Sequence, residues 1–539
     1  MNKTMFLLIS VVALGALLVS CDMGKPRFRP EPERLRVIEP LDLAQVSQPS
    51  GEEFNEAEPN LPEAPASLTL TLEEARAAAL EHNLDLQVGL LSPTIARESI
   101  TVAEAQFESL VFANMAFSKT DQPVSLSLDA SKADYFSADV GLAQPLRTGG
   151  GVELEMPVTR SKTNNPFSTL NPAYTSDFSA SISQPLLRNA GVRTNTHAIR
   201  VAIYQTQIVE ARTKLQVLTV LYAADVVYWR LYATRRALEV VRQDYELAVE
   251  LLEQAQRRAA VGDLPEVEVI RAQAAVAERL DAVIIAENEV RTNQRELKRV
   301  LNRPDLPLGG ATQLELQTEP NPRPYHLAPK ELIEIALAQR MELLELELQL
   351  AQDASTIDYG RNQVLPLLDL VYRYNVNGLG RNWGGTFDVL HTKDFEDHYM
   401  GVQLQLPLGN EAAQSRLRQS MYTQAQRLVT HEQRSLAIRQ EVYDAMDRLE
   451  AAWQRILATR QSTVLAHRTF EAERRQFELG LRTATDVSDA QLRLANQQLA
   501  EIRAVTEYEI AQVDLALASG TLLGAARIRW EPAQPQLDR

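Results

Sequence analysis

The stretch FELGLRTATDVSDAQ at 477–491 interrupts a long helical pattern and then restarts it. Residues 411–479 before it contain neither Gly nor Pro, and a second helical run follows from about 484 to 519. At 1.5 Å per residue, the first run spans roughly 100 Å as one helix. We expect Gly480 to lie at the turn of a helical hairpin, because glycine readily ends a helix. Such a hairpin needs partners along its whole length, which indicates a coiled-coil bundle or a helical barrel.

The same pattern occurs earlier in the chain. Residues 194–260 also lack Gly and Pro, and they run into AAVGDLPEVEVIRAQ at 259–273, where Gly262 takes the place of the tip glycine. The segment TLEEARAAALEHNLDL from Thr71, which opens with a capping-box pattern, recurs as PKELIEIALAQRMELLEL from Pro329. The chain is therefore predicted to be an internal duplication.

Strand-like runs precede the long helical stretch of each repeat. Four lie within about 107–187 and two within about 364–408, the latter separated by a loop at 377–397 that contains Gly, Trp and Asp. Each run has about ten or more residues and alternates weakly, which is typical of outer-membrane strands. On the strands alone, a soluble β-subdomain is the alternative.

The N-terminus has the pattern of a secretory signal. Lys3 precedes an apolar run at 5–19, which is too short to span a membrane and ends at Leu18-Val19-Ser20-Cys21. This ending resembles a bacterial lipobox and predicts a lipidated, palmitate-bearing Cys21. An ordinary signal peptide with a chance cysteine is the alternative. The Pro- and Glu-rich residues that follow predict an extended tether.

Composition excludes several classes of function. The net charge of −16 argues against nucleic-acid binding, which needs a basic surface, and is compatible either with a cation-favouring pore or with a soluble acidic surface. One cysteine allows no disulfide and no cysteine-based metal site. The chain has no HExxH, GxSxG or P-loop motif, so we expect neither an enzyme nor a cofactor.

These patterns divide the chain into six regions. They are a lipoprotein signal peptide (1–20), a lipid-anchored tether (21–66), a first repeat (67–304, with strands at about 107–187 and a helical hairpin at about 192–302), a linker (305–325), a second repeat (326–523, with strands at about 364–408 and a hairpin at about 411–521) and a C-terminal tail (524–539).

The combination resembles the TolC-like outer-membrane efflux proteins, the outer membrane factor lipoproteins, over roughly residues 67–523. FELGLRTATDVSDAQ is similar to the tip signature of that family, aromatic-x-x-Gly-x-x-Thr-x-x-Asp-Val-x-Asp-Ala, and ALASGTLLG at 516–524 is also typical of it. The resemblance implies a mainly α fold with a transmembrane β-barrel portion, built as a trimeric α-barrel/β-barrel from two internal repeats. Family protomers usually contribute four strands, so the six candidates here either give an eighteen-stranded barrel or leave one hairpin outside its wall.

The resemblance also implies a function and its partners. It predicts a homotrimeric exit duct of a tripartite efflux system, lipid-anchored in the outer membrane, with a long periplasmic extension and passive export of small molecules. Helix tips would close the duct and meet a periplasmic adaptor (membrane fusion protein) that couples to an inner-membrane pump. A type I protein secretion duct is one alternative. A structural periplasmic coiled-coil lipoprotein or adaptor is another, from a different class.

The tip motif gives the candidate gate residues. By family position, Asp486 and Asp489 line the constriction, and Arg482 joins a closing network that could include a contact with Glu268. Phe477 replaces the usual Tyr, so one hydrogen bond of that network is lost.

Rings of carboxylates favour cations, and residues spaced i,i+3 share one helix face. The alternative is that the two aspartates simply stabilise a helix start.

The first tip makes the predicted gate unequal, because Glu268 and Arg271 stand where the second tip has aspartates. At the turns themselves, Gly262, Gly480 and Leu481 are the predicted adaptor contacts.

Overall fold

The computed structural model describes residues 67–124, 129–262 and 264–528. The predicted signal peptide, the lipidation site Cys21 and the tether at 21–66 lie outside the described residues, as does the end of the tail from 529. Within the described ranges, no helix combines the length and apolarity needed to cross a membrane.

The elements alternate between helical and strand blocks. The helices are α1 (Leu72–His82), α2 (Leu84–Glu104), α3 (Val192–Asn195), α4 (His197–Ala260), α5 (Glu266–Leu301), α6 (Pro329–Gln339), α7 (Met341–Gln363), α8 (Trp383–Thr392), α9 (Glu411–Glu478), α10 (Ala484–Ala518) and α11 (Leu522–Ala525). The strands are β1 (Ser67–Leu70), β2 (Leu110–Asp121), β3 (Lys132–Pro145), β4 (Gly151–Thr163), β5 (Ala173–Pro185), β6 (Gln313–Leu316), β7 (Leu367–Gly380) and β8 (Glu396–Gln405).

The opening helix of each repeat starts and breaks in a defined way. The predicted capping box is confirmed, because Thr71 Oγ1 accepts from Glu74 N at 3.2 Å and the Glu74 carboxylate accepts from Thr71 N at 2.9 Å. The segment from Thr71 forms two helices, broken at Asn83, whose side chain caps α2. Arg340 stands at the same break in the second repeat.

The residue at each helix break contacts the end of the returning helix of its own repeat. The Asn83 amide donates to Val300 O at 3.0 Å, and the Arg340 guanidinium donates to Ala518 O at 3.1 Å, each at the end of a returning helix. In both repeats, the residue at the helix break therefore donates to a carbonyl at the end of the returning helix, although the two side chains differ. Such equivalent contacts are expected of a duplication.

The predicted linker at 305–325 was an incomplete description, because it contains a strand. β6 pairs in parallel with β1, from Ser67 opposite Gln313 to Leu70 opposite Leu316. Leu314 is fully buried in this small sheet. The strand β6 is therefore stabilised although its apolar and polar residues alternate over only four positions. The pairing joins the start of the first repeat to the segment that precedes the second.

Four long helices form one row. α4 and α5 make the first hairpin, α9 and α10 make the second, and α4 packs on α10, so the order is α5–α4–α10–α9. Further from the tips, α2 and α7 replace the returning helices, and the order becomes α2–α4–α7–α9. The long helices predicted from the absence of Gly and Pro are present, each ending within three residues of its predicted bounds.

The row is held by heptad-spaced stripes, as expected for helices packed along their length. Buried residues in the α9–α10 seam recur at alternating intervals of three and four: Ile438, Val442, Ala445, Leu449, Ala452 and Ile456 on α9, and Ala504, Tyr508, Ala511, Leu515 and Ala518 on α10.

All six strands predicted ahead of the long helices belong to one antiparallel sheet, in the order β2-β3-β4-β5-β7-β8. The two repeats meet where β5 pairs with β7, from Tyr174 opposite Gly380 to Pro185 opposite Asp369.

The predicted loop at 377–397 was wrong in part, since it contains α8. Thr386 of this helix packs on the sheet, and its hydroxyl lies 3.0 Å from the hydroxyl of Ser176. This packing stabilises a helix in the Gly-containing segment.

The register sorts the sheet into one apolar and one polar face. Most of the exposed apolar residues of the sheet share one face: Val111, Met115, Phe117, Val140, Leu142, Leu154, Met156, Ile182, Tyr372, Met400, Val402 and Leu404. The other face carries Asn114, Asp139, Glu153, Glu155, Thr159, Ser179, Ser181, Asn375, Gln403 and Gln405. An exposed apolar face of this extent marks an interaction surface.

A buried ion pair ties α1 to α4. Arg76 Nε and Nη2 each donate to one carboxylate oxygen of Asp225 at 2.7 Å, and the Asp225 side chain is fully buried. Burial raises the pKa of Asp225, and the two bonds from Arg76 oppose that rise. Removing one partner of such a pair strands the other charge.

We predict that Asp225→Ala lowers the free energy of unfolding by roughly 3–5 kcal/mol, because Arg76 loses its bidentate partner. Denaturation followed by circular dichroism in detergent measures this loss. Glu81→Ala, which removes an exposed carboxylate of α1, is the matched control and should change stability by less than about 0.5 kcal/mol. Equal effects of the two substitutions would contradict the assigned role of the pair.

Candidate functional site at the hairpin tips

Both predicted tip glycines end a long helix in the left-handed conformation. Gly480 has φ +75°, and its N–H donates to Phe477 O at 2.9 Å while Leu481 N donates to Gln476 O at 2.9 Å. These two bonds define a Schellman motif. Gly262 has φ +82° and donates to Ala259 O at 3.0 Å. Added Cβ atoms would meet nothing within 4 Å at either site, so backbone conformation, not crowding, requires glycine.

The tips expose apolar side chains. Val261 is 79% exposed at the first tip, and Leu479 and Leu481 are 74% and 72% exposed at the second. All three flank the tip glycines, where no other element of the described part of the chain covers them. Clustered exposed apolar groups at the end of a long hairpin form a surface suited to a protein partner.

Asp486 occupies the third position of α10 and caps it. Its carboxylate accepts from Thr483 N at 3.0 Å and from Thr483 Oγ1 at 2.8 Å, and Asp486 N donates back to the hydroxyl at 3.2 Å. The backbone hydrogen bond, followed by the hydroxyl bond, holds the pKa of Asp486 below its usual range, so the group stays ionised. The helix-start interpretation therefore accounts for the hydrogen bonds of Asp486, whereas Asp489, one turn later, is exposed.

Arg482 does not reach Glu268 within the chain, which corrects the predicted contact. Its Nε donates to Gln476 Oε1 at 3.0 Å and pairs with Glu473 at 3.1 Å, so the side chain folds back on its own hairpin. Glu268 is bound instead by Arg271, three residues on, at 2.7 Å, and it accepts a 3.3 Å hydrogen bond from Thr485 Oγ1. Thr485 thus makes a hydrogen bond between the two tips.

Phe477 lies in the seam between the hairpins and not on an exposed wall. It is 3% exposed and belongs to a cluster with Phe470, Ala484, Val487, Ala490 and Leu494, against which Leu247 and Leu251 of α4 pack. The Arg258 guanidinium stands 4.9 Å from the centre of the Phe477 ring and donates to Phe477 O at 3.3 Å. A cation over an aromatic face favours this packing, and it needs no phenol hydroxyl.

A buried polar network, which the sequence did not reveal, crosses the seam one to two turns further up. Arg279 of α5 is 4% exposed and contacts Asp244 of α4 at 3.5 Å and both the carbonyl and the hydroxyl of Ser488 of α10 at 3.3 and 3.2 Å. Gln491 Nε2 donates to Asp244 O at 2.7 Å and to Asp244 Oδ1 at 2.8 Å. We call these four residues the seam network.

The seam network could have been suspected from spacing. Arg279 falls on the heptad positions that carry small apolar residues on α5, between Ala272 and Ala286, where a charge must be paired. Glu278, its neighbour on α5, approaches Arg279 at 3.6 Å, but Asp244 and Ser488 are on other helices, so no local pattern identifies them. Arg279 Nε has no hydrogen-bond acceptor within the described part of the chain.

The network borders a cavity of about 280 Å³ between the hairpins. Glu268, Arg271 and Asp489 line it with Arg279, Ser488 and Gln491, so three of the candidate gate residues and most of the seam network share one space. Among residues 67–124, 129–262 and 264–528, no group of three or more His, Cys, Asp or Glu side chains is placed to hold a metal ion.

Comparisons with known proteins agree with the fold. Residues 332–521 match the family model described as outer membrane efflux protein. The chain is similar to the CmeC outer membrane channel of Campylobacter jejuni, with 14% identity, a TM-score of 0.64, and coverage of 84% of this chain and 86% of that one. No curated protein matches by sequence.

Two further solved structures share the fold. The outer membrane protein VceC of Vibrio cholerae has 15% identity and a TM-score of 0.62, covering 83% of this chain and 96% of that one. The open-state MtrE outer membrane channel of Neisseria gonorrhoeae has 16% identity and a TM-score of 0.58, covering 84% and 89%. These findings confirm the resemblance predicted from the tip motif and the mainly helical fold with a sheet.

We predict that Arg279→Met lowers the free energy of unfolding by roughly 3–5 kcal/mol at pH 8, because Asp244 is left buried without its cation. Burial already raises the pKa of Asp244, and Arg279 opposes that rise. Loss of Arg279 raises the pKa further, so the native state binds the proton more tightly than the unfolded chain and stability falls as pH increases. The destabilisation should therefore be smaller at pH 5.

Denaturant titrations at the two pH values measure this difference. Arg291→Met is the control, since Arg291 lies exposed on the same helix and bonds only to the carbonyl of Glu287. A loss that is independent of pH, or equal to that of the control, would show that Arg279 does not neutralise Asp244.

Proposed function

We propose that this chain, whose residues 332–521 match the outer membrane efflux protein family, is the outer-membrane exit duct of a tripartite efflux system. One observation carries the proposal: a row of helices that reaches roughly 100 Å ends in a sheet with one exposed apolar face. A sheet of this kind suits a lipid environment, and the helices suit a tunnel that leads away from it. Transport through such a duct is passive.

The open edges of the sheet support closure by other copies. Among the described strands, β2 and β8 each pair on one side only, and almost every residue of β8 is exposed. Unpaired edges template further strand pairing. Three copies joined edge to edge would close one barrel, to which each contributes all six strands of the sheet. This arrangement favours the eighteen-stranded alternative, because every β-hairpin that the structure describes lies within the sheet.

The tips support a partner and a gate. Val261, Leu479 and Leu481 present apolar surface at the end of the hairpins, which suits a periplasmic adaptor coupled to an inner-membrane pump. Asp489 and the ionised Asp486 supply negative charge beside the tips, and three copies would form carboxylate rings that favour cations.

Three of the candidate gate residues hold the tips and the seam in shape through contacts within the chain. Arg482 and Glu268 shape the tips through their pairs with Glu473 and Arg271. Phe477 holds the seam between the hairpins.

The N-terminal motif supports the place of the protein in the cell. A lipobox ending at Cys21 would anchor the chain in the outer membrane by an acyl group, with residues 21–66 as tether. The long helices would then occupy the periplasm.

We predict that Asp486→Asn/Asp489→Asn lowers the cation-to-anion permeability ratio towards unity in planar-bilayer recordings, because both carboxylate rings lose their charge. Asparagine keeps the oxygen that accepts from Thr483, so the helix start is preserved. Asp444→Asn, at an exposed site of α9, is the control and should leave the ratio unchanged. A double variant with wild-type selectivity would remove the two aspartates from the gate.

A structural coiled-coil lipoprotein or adaptor would not need a lipid-facing sheet. Resistance of the oligomer to detergent therefore distinguishes a duct from this alternative. We predict that unheated, detergent-extracted protein migrates as a compact, detergent-resistant oligomer in electrophoresis and shifts to the monomer on boiling, because closed sheets resist detergent. Identical migration with and without heating would favour the structural alternative.

A further inference from the structure

Basic side chains gather on the apolar face of the sheet, at the strand ends that lie away from the long helices. The register places Lys119 of β2, Lys132 of β3, and Arg160 and Lys162 of β4 on the same face as Phe117. Successive side chains of a strand alternate between faces, and the polar face of these three strands carries no lysine or arginine. The positive charge of this part of the sheet is therefore confined to the apolar face.

Arg160 lies in a row of aromatic residues. The register sets Phe117, Phe136, Arg160 and Tyr174 opposite one another on four neighbouring strands. The Arg160 guanidinium lies 5.9 Å from the centre of the Tyr174 ring, and its Nε donates to the Tyr174 hydroxyl at 3.2 Å. Arg160 forms no ion pair within the described part of the chain, so its charge is available to a ligand.

Two lysines lie one row further from the helices. Lys119 and Lys162 stand on opposite sides of Asp134, with which both are in register. Both lysines are exposed, and neither has an ion-pair partner among the residues that the structure describes. Lys132, by contrast, is paired with Asp121 at 3.1 Å. One carboxylate thus faces two lysines and the arginine of the aromatic row, which leaves an excess of positive charge.

The helix α8 borders the aromatic row on the same face. Ser176, which contacts Thr386 of α8, is in register with Gly378. A Cβ atom added to Gly378 would lie 2.5 Å from Thr386 O, so the helix approaches the sheet closely there. Trp383, at the start of α8, stands edge-on to Tyr174 with ring centres 4.8 Å apart. The basic residues therefore lie on a surface that α8 bounds on the side of β5 and β7.

These residues stand where the apolar part of the strands ends. Val111, Met115 and Phe117 are 71%, 63% and 66% exposed along β2, and Lys119 follows them as the tenth residue of the strand. Arg160 is likewise the tenth residue of β4. A strand crosses a bilayer in about 9–11 residues, so both cations fall at the level of the lipid headgroups. Aromatic rings and long cationic side chains are typical of that level.

We propose that Lys119, Arg160 and Lys162 bind the phosphate of a lipid headgroup in the leaflet away from the long helices. The inference rests on the proposed function, because the apolar face contacts lipid only if the sheet crosses the membrane, and it adds a ligand to that function. Ammonium and guanidinium groups form charge-assisted hydrogen bonds with phosphate oxygens. The rings of Phe117 and Phe136 beside them suit the first carbons of an acyl chain.

Removal of the two lysine charges tests the site. Lys119→Gln/Lys162→Gln should weaken the binding of lipid A, a phosphate-bearing glycolipid, by about tenfold, because two charge-assisted contacts are lost. Native mass spectrometry of the detergent-extracted protein, titrated with the lipid, measures the bound fraction. Both lysines are exposed, so the fold should not change. Lys119→Arg/Lys162→Arg keeps the charges and should retain binding.

Arg323→Gln/Lys330→Gln is the matched control, since it removes two exposed cations far from the sheet and should leave binding unchanged. The same glycolipid without its phosphates should bind the wild type as weakly as lipid A binds the glutamine variant. Equal binding by wild type and glutamine variant, or of the two lipids, would overturn the site. Displacement of lipid A by an equal concentration of inorganic phosphate would also overturn it, because the site would then be a general anion site.

The outcomes separate the inference from the proposed function. A wild-type protein that conducts ions in planar bilayers but binds lipid A no better than Lys119→Gln/Lys162→Gln would remove the headgroup site and leave the duct standing. A wild-type chain that does not conduct would overturn the proposed function itself.

Discussion

The structure depends on one constraint: a helix of more than sixty residues cannot bury its apolar side chains against itself. α4 and α9 must find partners along their whole length, and the heptad spacing of Ile438, Val442 and Ala445 shows how α9 does so. Pairing into hairpins covers one side of each helix. The α4–α10 seam covers a second, and the two ends of the row remain open. The sheet repeats this situation, with edges at β2 and β8.

The seam between the hairpins combines two kinds of interaction. Near the tips it is apolar, with Phe477 under the Arg258 guanidinium, and one to two turns away it is polar, with Arg279 buried between Asp244 and Ser488. Apolar contacts tolerate sliding, whereas a buried charge network requires one geometry if its members are to stay satisfied. The hairpins are therefore positioned by the polar contacts, and the aspartates of α10 are carried on the helix that these contacts hold.

The fold could be predicted largely because its signals are local. Absence of Gly and Pro defined the long helices, and Gly480 and Gly262 marked their tips. The site could be predicted only in part, since contacts between helices depend on rotation about each axis. Arg482 turned back to Glu473, and Asp244 and Ser488, which contact Arg279, lie on two other helices. The helix α8 was missed because Gly384 and Gly385 indicate a loop, and only its packing on β5 and β7 stabilises a helix there.

In the proposed assembly, the open helix and sheet edges of one chain are completed by the opposite edges of other copies around a hollow axis. Electron cryo-microscopy of the detergent-extracted wild-type chain tests this most directly. We expect a hollow ring made of three copies of the four-helix row, continuous with one closed sheet that contains β2 to β5, β7 and β8 from each copy. Particles with a single row of helices and a sheet with free edges would contradict it.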